Sequence, residues 1–320
     1  MSNHAIIEGY VHISNAADIT NQKLSKIRSG ELKPLVTSSK KETDKIGGFF
    51  PTDQVVLAAR TGMGKTAHVL HWMGDFTNRE LNPFYADNLI ILYDSWEMPE
   101  WRNMLRLYSR ELELDVKTIL DYQQQMQQEM FDRVIALKSK FVNKPIYFRN
   151  ISQSVKEWYA TKKRIRDKHK KATIVNIVDH TRLVTKSTEK SEEELISQFM
   201  LHGMRIKLED DMINIFLTQM NRNIESGAGG RENIGKNLPV SSDIFGADSV
   251  FQCADVVIAD HRPGFYGLTE FNGMPTGINP NNPEMHDHLL IECILKQRDG
   301  WTGNLIRRHN LAINQIEDYD

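Results

Sequence analysis

The chain has 320 residues, with 40 Lys+Arg against 42 Asp+Glu, a formal charge of -2 and 40% hydrophobic residues. That balance excludes a chain-wide basic coat, though not a local basic groove, and the apolar content excludes global disorder. The only two cysteines, Cys253 and Cys293, have no partner at metal-ligand spacing. Neither a disulfide framework nor a zinc module follows, and a reducing compartment is expected. The start lacks a charged region followed by an apolar one, and no apolar run approaches the ~20 residues that a bilayer demands. A soluble, cytoplasmic protein without membrane contact is expected.

Residues 1–44 are polar and end in SSKKETDK, which reads as a tail and linker. Within them, 17–28 forms a short helix pattern whose apolar points are Ile19, Leu24 and Ile27, a stripe too small to fold alone and expected to dock on a larger surface. Next come apolar runs without alternation at 54–59, 88–94, 145–148, 173–179, 213–218, 255–259 and 289–295, as suits strands buried on both faces of a parallel sheet. Helical patterns lie between them, at 66–76, 116–141, 155–170 and from Ser191, capped with Glu194, to about Glu209. Alternation of this kind means an α/β fold with a mostly parallel central sheet flanked by helices. The segments 225–237 and 262–283, rich in Gly, Asn and Pro, read as mobile loops. The expected division is a tail and linker helix at 1–44, a core at 45–312 and an acidic tail at 313–320.

The run 54–59 leads into Ala59-Arg60-Thr61-Gly62-Met63-Gly64-Lys65-Thr66 and then a helix. Small residues let backbone N–H groups converge on phosphate oxygens, and the helix start adds partial positive charge. Lys65 is placed to reach the β- and γ-phosphates, and the Thr66 hydroxyl to ligate Mg²⁺. Ala59 stands where the pattern has its first Gly, which is acceptable if its φ stays negative. The segment therefore reads as a site for ATP or another nucleoside triphosphate with Mg²⁺.

Three strand ends supply further chemistry. Asp179 closes the run 173–179, where an acid emerges beside the phosphate loop and can hold Mg²⁺ through water. Glu97 follows the run 88–94, placed to polarise an attacking water. Gln219 closes 213–218, where an amide can contact the γ-phosphate or its water and report its loss to the following loop; a surface amide is an equal alternative. For each acid alone a capping or solvated carboxylate would be the default, and the order of the motifs favours the functional reading.

GGFFPTDQVVLAARTGMGKTA, SWEMP, the strand ending in Asp179, FLTQMNRNIE, PVSSDIFGADSVFQCADVV and KQRDG occur in that order. The series resembles the successive motifs of the DnaB-type replicative helicases, over roughly residues 14–310. The resemblance implies a RecA-like P-loop core and a homo-oligomeric ring, usually a hexamer, with ATP bound between subunits. It further implies 5′ to 3′ translocation on single-stranded DNA in a central channel, duplex unwinding in DNA replication, and a primase or loader as further partner. It implies that Glu97 is the catalytic carboxylate, Lys65 and Thr66 hold phosphate and Mg²⁺, Asp179 is the second Mg²⁺ acid and Gln219 the sensor. Lys296 and Arg298 match the basic pair that reaches a neighbour's γ-phosphate, where positive charge offsets the charge developed in the transition state; the Arg-Asp-Gly sequence also suits a solvated hairpin.

The chain also departs from the family. Only about 45 residues precede the core, so the amino-terminal collar is expected to be missing and primase coupling through it is in doubt; such a chain suits a phage, plasmid or other mobile element in a bacterial cell. Phe245 stands where the family often has Arg, in a loop expected to line the channel. It can stack on a base, or be a packed loop aromatic. Arg222, Arg231, Lys236, Phe245 and Gly246 are the candidate DNA contacts. The basic run 162–171 reads as a solvated helix face rather than a nucleic-acid site. The alternative function is a RecA-like DNA-binding ATPase that does not translocate, as in a recombinase-like filament or a regulator of helicases.

Overall fold

The computed structural model describes residues 10–120, 126–181, 184–186, 191–221, 224, 237–279 and 286–319. Its strands are β1 (Gln54–Ala59), β2 (Leu89–Ser95), β3 (Ile146–Arg149), β4 (Thr173–Asp179), β5 (Ile213–Gln219), β6 (Val256–His261), β7 (Glu270–Phe271), β8 (Met274–Pro275), β9 (Leu289–Gln297), β10 (Gly303–Asn310) and β11 (Gln315–Asp318). The helices are α1 (Ile13–Ser29), α2 (Lys40–Ile46), α3 (Lys65–Phe76), α4 (Glu100–Leu112), α5 (Val116–Ile119), α6 (Gln128–Ala136), α7 (Lys138–Phe141), α8 (Val155–Lys168), α9 (Glu192–Asp210) and α10 (Ala247–Cys253).

Nine strands make one sheet in the order β11-β10-β9-β6-β1-β5-β4-β2-β3, and β7 pairs with β8 apart from it. From β6 to β3 all pairings are parallel, and β9, β10 and β11 extend the sheet antiparallel. Because side chains alternate along a strand, β1 sends Val55 and Leu57 to one face and Val56 and Ala58 to the other. On the first face Trp72, Phe76 and Phe49 pack together, with Phe49 5.2 Å from Trp72. On the second, Phe199 packs with tilted rings between Trp158 and Phe216, at 4.7 and 4.9 Å between centroids. Burial on both faces explains why the parallel strands read as unbroken apolar runs.

Four expectations need correction. The core does not begin at residue 45: Leu35 bridges Phe49 and is fully buried, and α2 is capped by Ser39 and buries Glu42 and Ile46. Nor is 313–320 a tail, since Gln315–Asp318 is an edge strand paired to β10. The single helix expected at 116–141 is three short ones, α5, α6 and α7, with 121–125 outside the described residues. The basic run is a face of α8, but Lys162 is buried and donates to Asp94 at 2.7 Å beside the Trp158 indole, so it is not solvated. Helix α1 buries none of its residues; Ile19, Leu24 and Ile27 stay exposed within this chain. Of the two expected loops, 225–236 and 280–285 lie outside the described residues, while the second opens on a helical turn at Pro263–Tyr266 and the β7–β8 hairpin.

A buried ionic cluster locks the antiparallel strands to the parallel part. Arg307 on β10 donates to Glu292 on β9 at 2.8 Å and lies 3.5 Å from Glu42 and 3.3 Å from Asp318. Its guanidinium is the cation between these carboxylates. Beside them His68 on α3 pairs through Nδ1 with Asp260 on β6 at 2.8 Å. Burial opposes the imidazolium, yet the Asp260 carboxylate prevails and His68 rises to about 9. Burial pushes Glu292 up to about 8, with Glu42 adding to the effect and Arg307 opposing it. Both groups thus keep protons on folding that the unfolded chain releases at lower pH, so stability is present at low pH and lost as pH rises through the folded values. Urea unfolding between about pH 7 and about pH 9 should therefore show a falling midpoint, and Glu292→Gln should make the decline below about pH 8 shallower while leaving the His68 contribution up to about pH 9.

Candidate nucleotide site

The carboxyl ends of β1, β5, β4 and β2 open onto a cleft of about 550 Å³ lined by Lys65, Thr66, Glu97, Asp179 and Gln219. The sheet order puts them together: β1 neighbours β5, then β4, then β2. Ala59 is the last residue of β1, paired to Gln219 on one side and Asp260 on the other. It is not among the residues at positive φ, so it meets the condition for replacing the first Gly of the loop. Gly62 and Gly64 do need their freedom, with φ of +83° and +102°. A Cβ on Gly64 would also lie 2.8 Å from the Leu311 side chain. Helix α3 begins at Lys65 with no side-chain cap, so its first N–H groups face the loop.

In this cradle Lys65 Nζ donates to the carbonyl oxygens of Ala59 at 2.9 Å and Arg60 at 3.4 Å. Burial holds Lys65 below its ordinary pKa, while Asp179, Asp260 and Glu97 pull it back toward the charged form. A triphosphate in the cleft adds negative charge and would pull Lys65 further toward the charged form. Arg60, buried, donates to the Met220 carbonyl at 2.9 Å and so props the loop from β5. The Thr66 hydroxyl and the Tyr93 hydroxyl both donate to Asp179 Oδ2, at 2.9 and 2.8 Å. A hydroxyl and a carboxylate in contact form the hard-oxygen donor set that suits Mg²⁺, so these residues fit the ion expected with a nucleotide. Glu97 is exposed on the turn after β2, on the wall of the cleft.

Gln219 joins two parts of the site. Its side-chain amide donates to the Thr61 hydroxyl at 2.6 Å, and its backbone carbonyl accepts from the Phe245 N–H at 3.3 Å. Phe245 is half-buried and packs against the core, so the packed-aromatic alternative describes it better than a free stacking surface. Gly246 starts α10 in the left-handed region, with φ of +69°. Arg222, Arg231 and Lys236 lie outside the described residues.

Lys296 and Arg298 are not in the cleft. Lys296 donates to the carbonyls of Phe251 and Ala254, closing the end of α10. The Arg298 side chain is 52% exposed and pairs with Asp255 at 3.1 Å. Gln297 is level with Val256 and Val55, at the amino end of β1, so roughly 13 Å of strand separates this pair from Ala59. Sequence motifs do not single out Tyr93, Arg102, Arg106, Leu311, Ala312 or Asn314, of which all but Tyr93 line the cleft. The amphipathic spacing of Arg102 and Arg106 in α4 was the signal for two of them; nothing in the sequence pointed to Tyr93.

A family model described as the DnaB-like helicase C-terminal domain matches residues 35–318. The chain belongs to that family. A probable replicative DNA helicase of Trieres chinensis is 24% identical over 96% of this chain and 63% of its own length. The replicative DNA helicase DnaB of Haemophilus influenzae is 24% identical over 97% of this chain and 62% of its own length. The chain thus spans somewhat over three fifths of these curated relatives. Among solved structures, one described as an ATPase domain superposes with a TM-score of 0.77 at 18% identity, over 97% of this chain and 100% of that one. A DnaB-like replicative helicase studied with its primase interactions gives 0.75 at 18% identity, over 98% of this chain and 68% of that one. Both share the α/β fold with its mostly parallel sheet. The match beginning at Leu35 and ending at Asp318 agrees with the burial of Leu35 and the pairing of β11.

Because Ala59 already has a strand conformation, Ala59→Gly should leave nucleotide affinity within about twofold and lower stability by about 0.5–1 kcal/mol. Titration with a fluorescent ADP and urea unfolding check the two halves.

Proposed function

We propose that this chain is the motor of a ring-forming DNA helicase of the DnaB type, hydrolysing ATP to move on single-stranded DNA and part the duplex. The observation that carries the reading is Gln219. One residue touches the phosphate loop with its side chain and the SDIFG segment with its backbone, so a change at the γ-phosphate has a direct route to the loop expected to face DNA.

In this reading Lys65 and the N–H groups at the start of α3 hold the β- and γ-phosphates. Thr66 and Asp179 would hold Mg²⁺, which when bound offsets phosphate charge. Glu97 orients and polarises the attacking water, and Gln219 contacts the γ-phosphate that leaves. Lys296 and Arg298 sit too far along the strands to serve their own cleft, which supports Arg298, the more exposed of the two, acting on a neighbouring copy while Lys296 holds the strand end. Hydrolysis then depends on assembly, because positive charge reaches the transition state only across an interface. The exposed apolar stripe of α1 supports the same picture, as a helix that buries nothing in its own chain needs a surface elsewhere. Homo-oligomerisation, most simply a hexamer, and contact with a primase or loader are part of this proposal.

The test is unwinding of a forked DNA with a 5′ tail by wild type, Lys65→Ala and Arg298→Ala, with nucleotide binding measured on each. Wild type should separate the strands and both variants should fail, Arg298→Ala losing about 10³-fold or more in hydrolysis. Only Lys65→Ala should lose nucleotide affinity. A wild type that hydrolyses ATP and never separates strands makes the chain a non-translocating ATPase; full hydrolysis by Arg298→Ala ends the trans assignment.

A further inference from the structure

Glu97 is exposed on the turn that follows β2, so its backbone has to set where its carboxylate stands. Two contacts flank it. On one side the Trp96 N–H donates to the Asp179 carbonyl at 2.9 Å, continuing the β2–β4 pairing in which Ser95 faces Asp179. On the other side the Ser95 hydroxyl donates to the Met98 carbonyl at 2.8 Å, closing the turn over Glu97. That hydroxyl also accepts from Asn103 Nδ2 at 2.8 Å and reaches the Tyr93 phenol, whose own hydroxyl donates to Asp179. Ser95 and Asn103 are buried, with exposures of 1% and 0%.

A hydroxyl has one proton to give. Asn103 donates to the Ser95 oxygen and Ser95 donates to the Met98 carbonyl, so the turn is tied to α4 through one buried hydroxyl. Asn103 comes from α4, which starts right after the turn at Glu100, so the helix that Pro99 launches reaches back to fix the loop before it. Strand β2 is itself anchored behind the turn. Asp94, adjacent to Ser95, accepts from Trp158 at 3.0 Å and from Lys162 at 2.7 Å. Neither Ser95 nor Asn103 is among the residues lining the cleft.

We propose that Ser95 and Asn103 are positioning residues for hydrolysis: the Asn103–Ser95–Met98 chain of hydrogen bonds aims the Glu97 carboxylate at the attacking water. The inference rests on Glu97 being the catalytic carboxylate. Removing the chain lets the turn relax, and small misplacement of a general base has large cost in rate because proton transfer demands near-contact geometry. Phosphate binding stays with Lys65 and the phosphate loop, so ground-state affinity should not follow.

Steady-state DNA-stimulated hydrolysis by the full chain, with ATP affinity taken from competition against a fluorescent ADP, separates the possibilities. Ser95→Ala and Asn103→Leu should each lower kcat about tenfold or more, with KM and nucleotide affinity within about twofold of wild type. The double variant should be no slower than Ser95→Ala alone, since both act through one chain. Adding Ser95→Ala to Glu97→Gln should change nothing further, since no carboxylate remains to be aimed.

Wild-type kcat in Ser95→Ala alongside a dead Glu97→Gln overturns the proposal. So does a fall in kcat matched by a rise in KM and a loss of thermal stability, which marks general damage. If Asn103→Leu does not fold, Ser95→Ala decides by the same criteria. Hydrolysis that survives in Glu97→Gln overturns the assignment of Glu97 instead, and is told apart because it appears before any positioning variant is compared.

Discussion

Parallel pairing of β1 with β5, and of β4 with β5 and β2, is the constraint from which the site follows. Parallel strands end on the same edge, so the phosphate loop after β1, Gln219, Asp179 and the Glu97 turn must emerge side by side. Thr61 and Gln219 touch there although they lie 158 positions apart in the chain. A parallel sheet needs crossovers, and here α3, α4, α8 and α9 supply them. The crossovers bury both faces of the strands, and that burial makes the edge rigid. The residues of the candidate site therefore rest on a frame whose cost in backbone entropy is offset by apolar contact far from the cleft.

The same frame explains why so many polar groups inside it are paired. His68 on the phosphate-loop helix is held by Asp260, and Asp260 stands level with Ala59 at the end of β1. Arg307 ties β10 to β9, to α2 and to β11. These elements would otherwise be an antiparallel edge with a short helix resting on it. A buried ion pair is weak evidence for added stability, but breaking one leaves an uncompensated charge, commonly at about 3–5 kcal/mol. The cluster makes the register of β9, β10 and α2 specific, and the turn 311–314 between β10 and β11 then presses on Gly64. The floor of the nucleotide cleft thus depends on a strand at the far end of the sequence.

That dependence marks where sequence reading succeeds and where it stops. Strands β1, β4 and β5 are apolar on both faces and end in the residues that carry chemistry, so local pattern alone locates them and the site residues at their ends. Strand β10 buries every second residue and includes a buried arginine and a buried histidine on either side of the exposed Arg308. Its polarity reads as surface because the carboxylates that pair with Arg307 lie on α2, β9 and β11. Lys162 is hidden for the same reason: in a run of cations nothing local singles out the one whose partner, Asp94, stands on β2. Asn103 likewise reads as an ordinary helix residue until Ser95 is seen beside it. Local pattern reports burial of apolar groups well, while polar burial is a property of partners remote in sequence.

On the proposed trans assignment, a cation has to be held in one chain and still be available to another. Lys296 is held by two backbone carbonyls at the end of α10, which is a structural commitment. Arg298 differs. Its partner Asp255 also accepts from Lys207 and from the Gln54 N–H, so releasing the guanidinium leaves that carboxylate satisfied. A half-exposed pair of this kind is worth about 0–1 kcal/mol, much less than the gain from placing a guanidinium against a developing phosphate charge in a desolvated interface. On that assignment Arg298 is the one of the two that can release its own-chain partner, while Lys296 keeps the end of β9 tied to α10.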